Sequence, residues 1–164
     1  MSSVNKRIAI VPGSFDPMTL GHLAVVVKAS EMFDGVVVAI MNNPEKKCLL
    51  SLAERKQIAE STCAGIPGVR VVTADGLLVD LARALEARYI VKGVRNSVDF
   101  EYEQNMAKIN KELAPEVQTI YIPSEPALEI ISSSFVKTLI KNGKMVDPYV
   151  HPDALPIIMK KINE

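Results

Sequence analysis

The sequence predicts an α/β protein with a doubly wound, five-stranded parallel sheet, folded as one domain over residues 1–164. Three observations carry that expectation. Short apolar runs alternate with amphipathic helical stretches along the whole chain. One run, Val36 to Met41 (VVVAIM), is continuously apolar and rich in β-branched residues, as a strand covered on both faces should be. Residues suited to holding an anion cluster where strands hand over to helices, and open parallel sheets bind ligands beyond the carboxyl ends of their strands.

In chain order, Ile8-Ala9-Ile10-Val11 reads as the first buried strand. It runs into VPGSFDPMTLGH (Val11 to His22), a Gly-bearing turn, and then into Leu23 to Phe33, whose apolar spacing fits a helix. Gly13 lets the backbone approach a ligand, Asp16-Pro17 is a turn signal, and His22 falls in the first helical turn. Val36 to Met41 is the second strand, followed by the turn Asn42-Asn43-Pro44. Ser51 with Glu54 three residues on is a capping-box pattern, so a helix should run from Leu52 to about Ala64. Val69 to Thr73 is the third strand. Leu78, Leu81, Ala82, Leu85 and Ala87 supply helical spacing after it. Tyr89 to Val91 is the fourth strand and runs into Lys92-Gly93-Val94-Arg95. Val98 to about Leu113 is a longer helix, and Val117 to Ile122 the fifth strand. A loop from Pro123 to Ile131 leads to Ser132-Ser133-Ser134 and a helix to about Lys141, before a proline-bearing tail and a short closing helix.

Bulk properties narrow the function. Nineteen basic and nineteen acidic residues cancel, so no global positive field recruits nucleic acid, and any anion site must be local. The two cysteines, Cys48 and Cys63, show neither metal-ligand spacing nor a disulfide framework. No apolar run approaches membrane length, and Met1 to Arg7 has no apolar signal core; a reduced, cytoplasmic setting is expected.

Gly13-Ser14, Lys46, Lys92 to Arg95 and the serine run should therefore meet on one rim with His22. One imidazole, several cations, hydroxyls and backbone amides, without paired carboxylates, are poor equipment for acid–base work. They suit phosphoryl or nucleotidyl transfer, where catalysis is largely positioning and charge stabilisation. Simpler roles stand beside these. Ser132 has the position of a helix N-cap, Lys46-Lys47 that of a solvated turn, and Glu101 and Glu103 that of a helix face. Leu77-Leu78 and Met106 read first as core, and His151 as a structural turn residue.

The segments VPGSFDPMTLGH, KGVR, DFEYE (Asp99 to Glu103) and IISSSFVK (Ile130 to Lys137) together resemble the phosphopantetheine adenylyltransferases of the nucleotidylyltransferase superfamily, over nearly the whole chain. The resemblance implies a Rossmann-like nucleotidyltransferase fold and attack of 4′-phosphopantetheine on the α-phosphate of ATP. It implies dephospho-coenzyme A and pyrophosphate as products, magnesium carried on the nucleotide rather than by the chain, a homohexamer, and feedback inhibition by coenzyme A. It gives His22, Lys46, Lys92 and Arg95 catalytic roles. Ser14, Lys46, Leu78 and Lys92 would bind the acceptor. Ser14, Phe15, His22, Gly93, Val94, Arg95, Glu103 and the run Leu128, Glu129, Ile130, Ile131, Ser132, Ser133 and Ser134 would bind ATP. Two positions depart from the family pattern. Lysine stands at 92 where many members carry arginine, keeping charge but losing bidentate geometry. Leu128 and Glu129 stand where an aromatic and a small polar residue are common.

Two other readings compete. A related enzyme would use another phosphorylated acceptor such as nicotinate mononucleotide, against which Phe135-Val136-Lys137 lacks the arginine associated with that class. A non-catalytic nucleotide-binding module would gain little from so many cations at strand ends.

Overall fold

The computed structural model describes residues 5–164; Met1 to Val4, part of the stretch read as lacking a signal core, lie outside the described residues. Five strands form one parallel sheet: β1 (Ile8–Gly13), β2 (Gly35–Met41), β3 (Val69–Ala74), β4 (Tyr89–Val94) and β5 (Gln118–Pro123), in the order β3-β2-β1-β4-β5. Helices α1 (Leu20–Met32), α2 (Leu52–Cys63), α3 (Leu78–Ala84), α4 (Ser97–Leu113), α5 (Ser133–Lys141) and α6 (Leu155–Ile162) cover it. The order reverses between β1 and β4, so the crevice for a ligand opens there, at the carboxyl ends of those two strands.

The period of two along each strand divides the core. Ala9, Val11, Val36, Val38 and Ile40 face one layer, with Val26, Ile58, Val136 and Ile158 from the helices. Ile10, Val37, Ala39 and Ile90 face the other, with Val79 and Ala82 of α3. This double coverage is why VVVAI of β2 reads as an unbroken apolar run. Cys48 and Cys63 are both free thiols, and burial pushes the Cys63 thiol up to about 11, away from thiolate chemistry at neutral pH.

Several boundaries differ from the sequence reading, each for a visible reason. Helix α1 starts at Leu20 rather than Leu23, because Thr19 caps it: its Oγ1 accepts from the His22 amide. Helix α3 stops at Ala84, leaving Ala87 outside, where Glu86 takes a φ of 53° and breaks the helical path. Strand β4 continues through Lys92, Gly93 and Val94, because its ladder with β5 runs on to Val94 opposite Pro123. Those three residues thus belong to the strand instead of following it, as does Gly13 at the end of β1. The stretch after β5 is not all loop, since Pro126–Leu128 form a 3₁₀ turn. Ser51 and Glu54 form the expected capping box on α2, and His151 caps the turn of Pro152–Ala154 as a structural residue.

Candidate active site

The β1–α1 turn is the centre of the site. Phe15 adopts a φ of 48°, the left-handed region that costs a non-glycine residue roughly 1 kcal/mol. In return its ring is buried and meets the His22 ring edge-on at 5.0 Å between centroids. His22 is the third residue of α1. Its Nδ1 accepts the Thr19 amide at 3.0 Å, completing a capping box in which histidine replaces the usual glutamate or glutamine. That bond leaves the proton of a neutral imidazole on Nε2, free to donate outward.

Burial, together with the nearby charges of Lys92 and Arg95, pushes the His22 pKa from 6.5 down to about 4. The ring is therefore neutral at physiological pH and acts as a hydrogen-bond donor rather than a cation. A group whose protonation is suppressed only in the folded state costs stability as pH falls from 6.5 towards 4, because the unfolded chain takes up the proton first. In an NMR titration of the free protein, the His22 ring should show the Nε2–H tautomer with a midpoint near 4. A midpoint above about 7 would place a cation here instead.

Two cavities meet at this turn. The first, about 230 Å³, is lined by Gly13, Phe15, Gly21, His22, Lys92, Gly93, Arg95, Glu103 and Ile131 to Ser133, among others. The second, about 680 Å³, is lined by Ser14, Lys46, Leu77, Leu78, Lys92, Glu103 and a wall of α4 that includes Tyr102, Met106, Ile109 and Asn110. Pro12, Gly13, Lys92 and Glu103 border both. The first is bordered by His22, Lys92, Arg95 and the start of α5; the second by Lys46 and Lys92 together with the apolar side chains of Leu77, Leu78, Met106 and Ile109.

The charged groups are held before any ligand arrives. Lys92 Nζ lies 3.3 Å from Glu103, and Arg95 forms a two-point pair with Asp99 at 2.8 and 3.2 Å. Lys46 Nζ donates to Ser14 Oγ at 3.0 Å. Ser132 caps α5 by accepting the Phe135 amide, while Ser133 Oγ donates to the Pro17 carbonyl at 2.8 Å and ties α5 to the β1–α1 turn. Gly93 owes its identity to space: a Cβ there would stand 2.7 Å from Val25 of α1. Asp99 and Glu103 are thus engaged by Arg95 and Lys92, and among the described residues no group of three His, Cys, Asp or Glu side chains is placed to hold a metal.

The structure brings His22, Phe15, Lys92, Gly93, Arg95, Glu103, Ile131, Ser132 and Ser133 together around the first cavity, and Ser14, Lys46 and Leu78 around the second. Leu78 serves both the core and the cavity wall. Val94, Glu129, Ile130 and Ser134 border neither cavity, and Leu128 faces a small recess beside Gly21, Ala24 and Lys28. Thr19, Asp99 and the α4 wall were not foreseen. Thr19 carries a signal in its capping-box spacing to position 22, and the wall in the stripe Tyr102, Met106, Ile109 and Leu113.

The cytidylyltransferase-like family model matches residues 10–139. The chain is 39% identical to a phosphopantetheine adenylyltransferase of Caldanaerobacter subterraneus subsp. tengcongensis, over 96% of this chain and 99% of that protein. It is 41% identical to a protein of the same name from Shouchella clausii, over 94% of this chain and 96% of the relative. A solved structure described as a candidate nicotinate-nucleotide adenylyltransferase from Vibrio parahaemolyticus overlays with a TM-score of 0.72 at 19% identity, over 96% of this chain and 94% of that one, a likeness of fold.

Proposed function

The chain belongs to the phosphopantetheine adenylyltransferases, within the cytidylyltransferase-like family, and on that premise we propose that its first cavity holds ATP and its second 4′-phosphopantetheine. It is an adenylyltransferase that joins the AMP portion of ATP to 4′-phosphopantetheine, giving dephospho-coenzyme A and pyrophosphate. The observation that supports the assignment of cavities is their shared border at Gly13, Lys92 and Glu103, which lets two phosphates approach each other beside His22.

In this arrangement an oxygen of the acceptor phosphate attacks the α-phosphorus of ATP. A new P–O bond forms as the bond to the pyrophosphate oxygen breaks, and pyrophosphate leaves. The attacking phosphate is already ionised at neutral pH, so no general base is required. His22 donates through Nε2–H to an α-phosphate oxygen, where charge builds in the transition state. Lys46 and Ser14 hold the acceptor phosphate, Lys92 stands between the two phosphates, and Arg95 with the amides of Ser132 and Ser133 receives the β- and γ-phosphates at the start of α5. Magnesium carried on ATP would add to the neutralisation of the leaving pyrophosphate. Leu78, Tyr102 and Met106 flank the pantetheine arm.

The same apolar cavity that accommodates this arm suits the corresponding arm of coenzyme A, which supports competitive feedback inhibition. Exposed Val98 and Phe100 of α4, which border neither cavity, support an assembly of subunits, of which a homohexamer is the family form. No helix among the described residues is long and apolar enough to cross a membrane; we place the enzyme in the cytoplasm, acting as a single domain on small molecules and not on nucleic acid.

A coupled pyrophosphate assay tests the reading. Release from MgATP should require 4′-phosphopantetheine and fail with nicotinate mononucleotide. Preference for the mononucleotide would overturn the choice of acceptor.

A further inference from the structure

Asp16 is only 1% exposed and has no role in the chemistry above. Its carboxylate is nonetheless fully engaged. Oδ2 accepts the Leu49 amide at 2.8 Å and Oδ1 the Leu50 amide at 2.9 Å, while Lys137 Nζ of α5 lies 3.3 Å from Oδ2. A side chain in the β1–α1 turn thus grips the far end of the loop between β2 and α2. Both amide partners lie more than thirty residues away in sequence.

That loop carries Lys46. Its near end is tied by the Asn42 amide to the Ala74 carbonyl and by the Asn42 side chain to Asp75. Between the ties it is exposed, with only a local turn from Asn43 to the Lys46 amide. Lys46 nevertheless returns to Ser14, two residues before Asp16, with its Nζ 3.0 Å from Ser14 Oγ. Ser14 is itself held from another direction, because Arg55 of α2 donates to its carbonyl at 3.0 Å. A free lysine loses rotamer entropy when its ammonium is fixed. Anchoring the backbone beside it removes a further source of disorder before the ligand binds.

We propose that Asp16 is a positioning residue for the acceptor phosphate: by holding the Leu49 and Leu50 amides, it sets the Lys46 ammonium against Ser14 in the wall of the second cavity. The proposal rests on the assignment of Lys46 to that phosphate. Asp16→Asn keeps the volume but turns an NH₂ group towards a backbone N–H or towards Lys137, so one anchor is lost. Arg55 keeps Ser14 in place, and the lesion falls on the lysine loop.

The test is a double-mutant cycle with steady-state kinetics, varying 4′-phosphopantetheine at saturating MgATP and then the reverse. Asp16→Asn should raise the acceptor KM about tenfold, equivalent to ~1.4 kcal/mol, and leave the ATP KM within about twofold. In a Lys46→Met background, the same change should alter the acceptor KM by less than about twofold, since the cation it positions has gone. If Asp16→Asn does not fold, Asp16→Asn with Lys137→Gln replaces it in the cycle, because it leaves no unpaired ammonium. Additive effects, or equal rises in both KM values, would reduce Asp16 to a fold residue and overturn the proposal. A Lys46→Met variant with an unchanged acceptor KM would instead remove the premise about Lys46, while leaving the adenylyl transfer itself intact.

Discussion

Replacing His22 with alanine is expected to lower kcat by about 10²–10³-fold, the usual cost of one well-placed donor to a developing oxyanion. The ring is prepared for that single task. Thr19 N–H occupies Nδ1 at 3.0 Å, Phe15 packs edge-on against the ring, and burial with Lys92 and Arg95 holds it neutral, with its pKa near 4. A cation here would bind pyrophosphate and substrate alike. A neutral donor costs less to bring close to Lys92 and acts mainly where charge appears. The alanine variant also loses half of the capping box, worth about 1 kcal/mol. His22→Gln separates the effects, because glutamine at this position can accept the Thr19 amide as capping boxes usually arrange. Thermal melts of the glutamine variant should match the parent closely while kcat stays depressed. An alanine variant with full turnover would leave His22 a capping residue and nothing more.

The glutamine control was not apparent from residue types alone, and the reason shows which features a sequence encodes locally. Gly21 reads as leaving room at a helix start and His22 as part of the first helical turn, with the helix itself expected from Leu23. In the structure the helix begins at Leu20, with the Thr19 side chain and the His22 ring closing its first turn. The strands were legible from their apolar runs, and the convergence of Gly13, His22, Lys92 and Ser133 from their places relative to those strands. Pairings between distant segments left no such mark. β4 extends through Val94 only because β5 lies beside it. Asp16 reads as an ordinary residue before proline, although both of its amide partners come from the next crossover. The apolar stripe of α4 announced a helix. That Tyr102 and Met106 line a cavity while Val98 meets solvent follows from how α4 lies over the sheet.

Lys92→Met should be the most damaging change of a single cation, because Lys92 alone among the cations borders both cavities. Lys46 borders only the second and Arg95 only the first, so loss of either should raise one KM selectively. Loss of Lys92 should raise both and also lower kcat, by about 10²-fold or more, since the charge it offsets is shared by the attacking phosphate and the α-phosphate of ATP. Part of that loss has a separate origin. Lys92 is 3.3 Å from Glu103, and both side chains are about one-fifth exposed. Methionine would leave the Glu103 carboxylate uncompensated beside two phosphates, a like-charge contact of at least about 1 kcal/mol at such a half-buried position. Lys92→Met with Glu103→Gln should therefore be about five- to tenfold faster than Lys92→Met alone, though far slower than the parent. Lys92→Arg keeps the charge and a partner for Glu103, and should retain most of the activity. If the double variant were no faster than the single one, Glu103 would be acting on ligand directly, through hydroxyl groups of the nucleotide, rather than through the ammonium it holds.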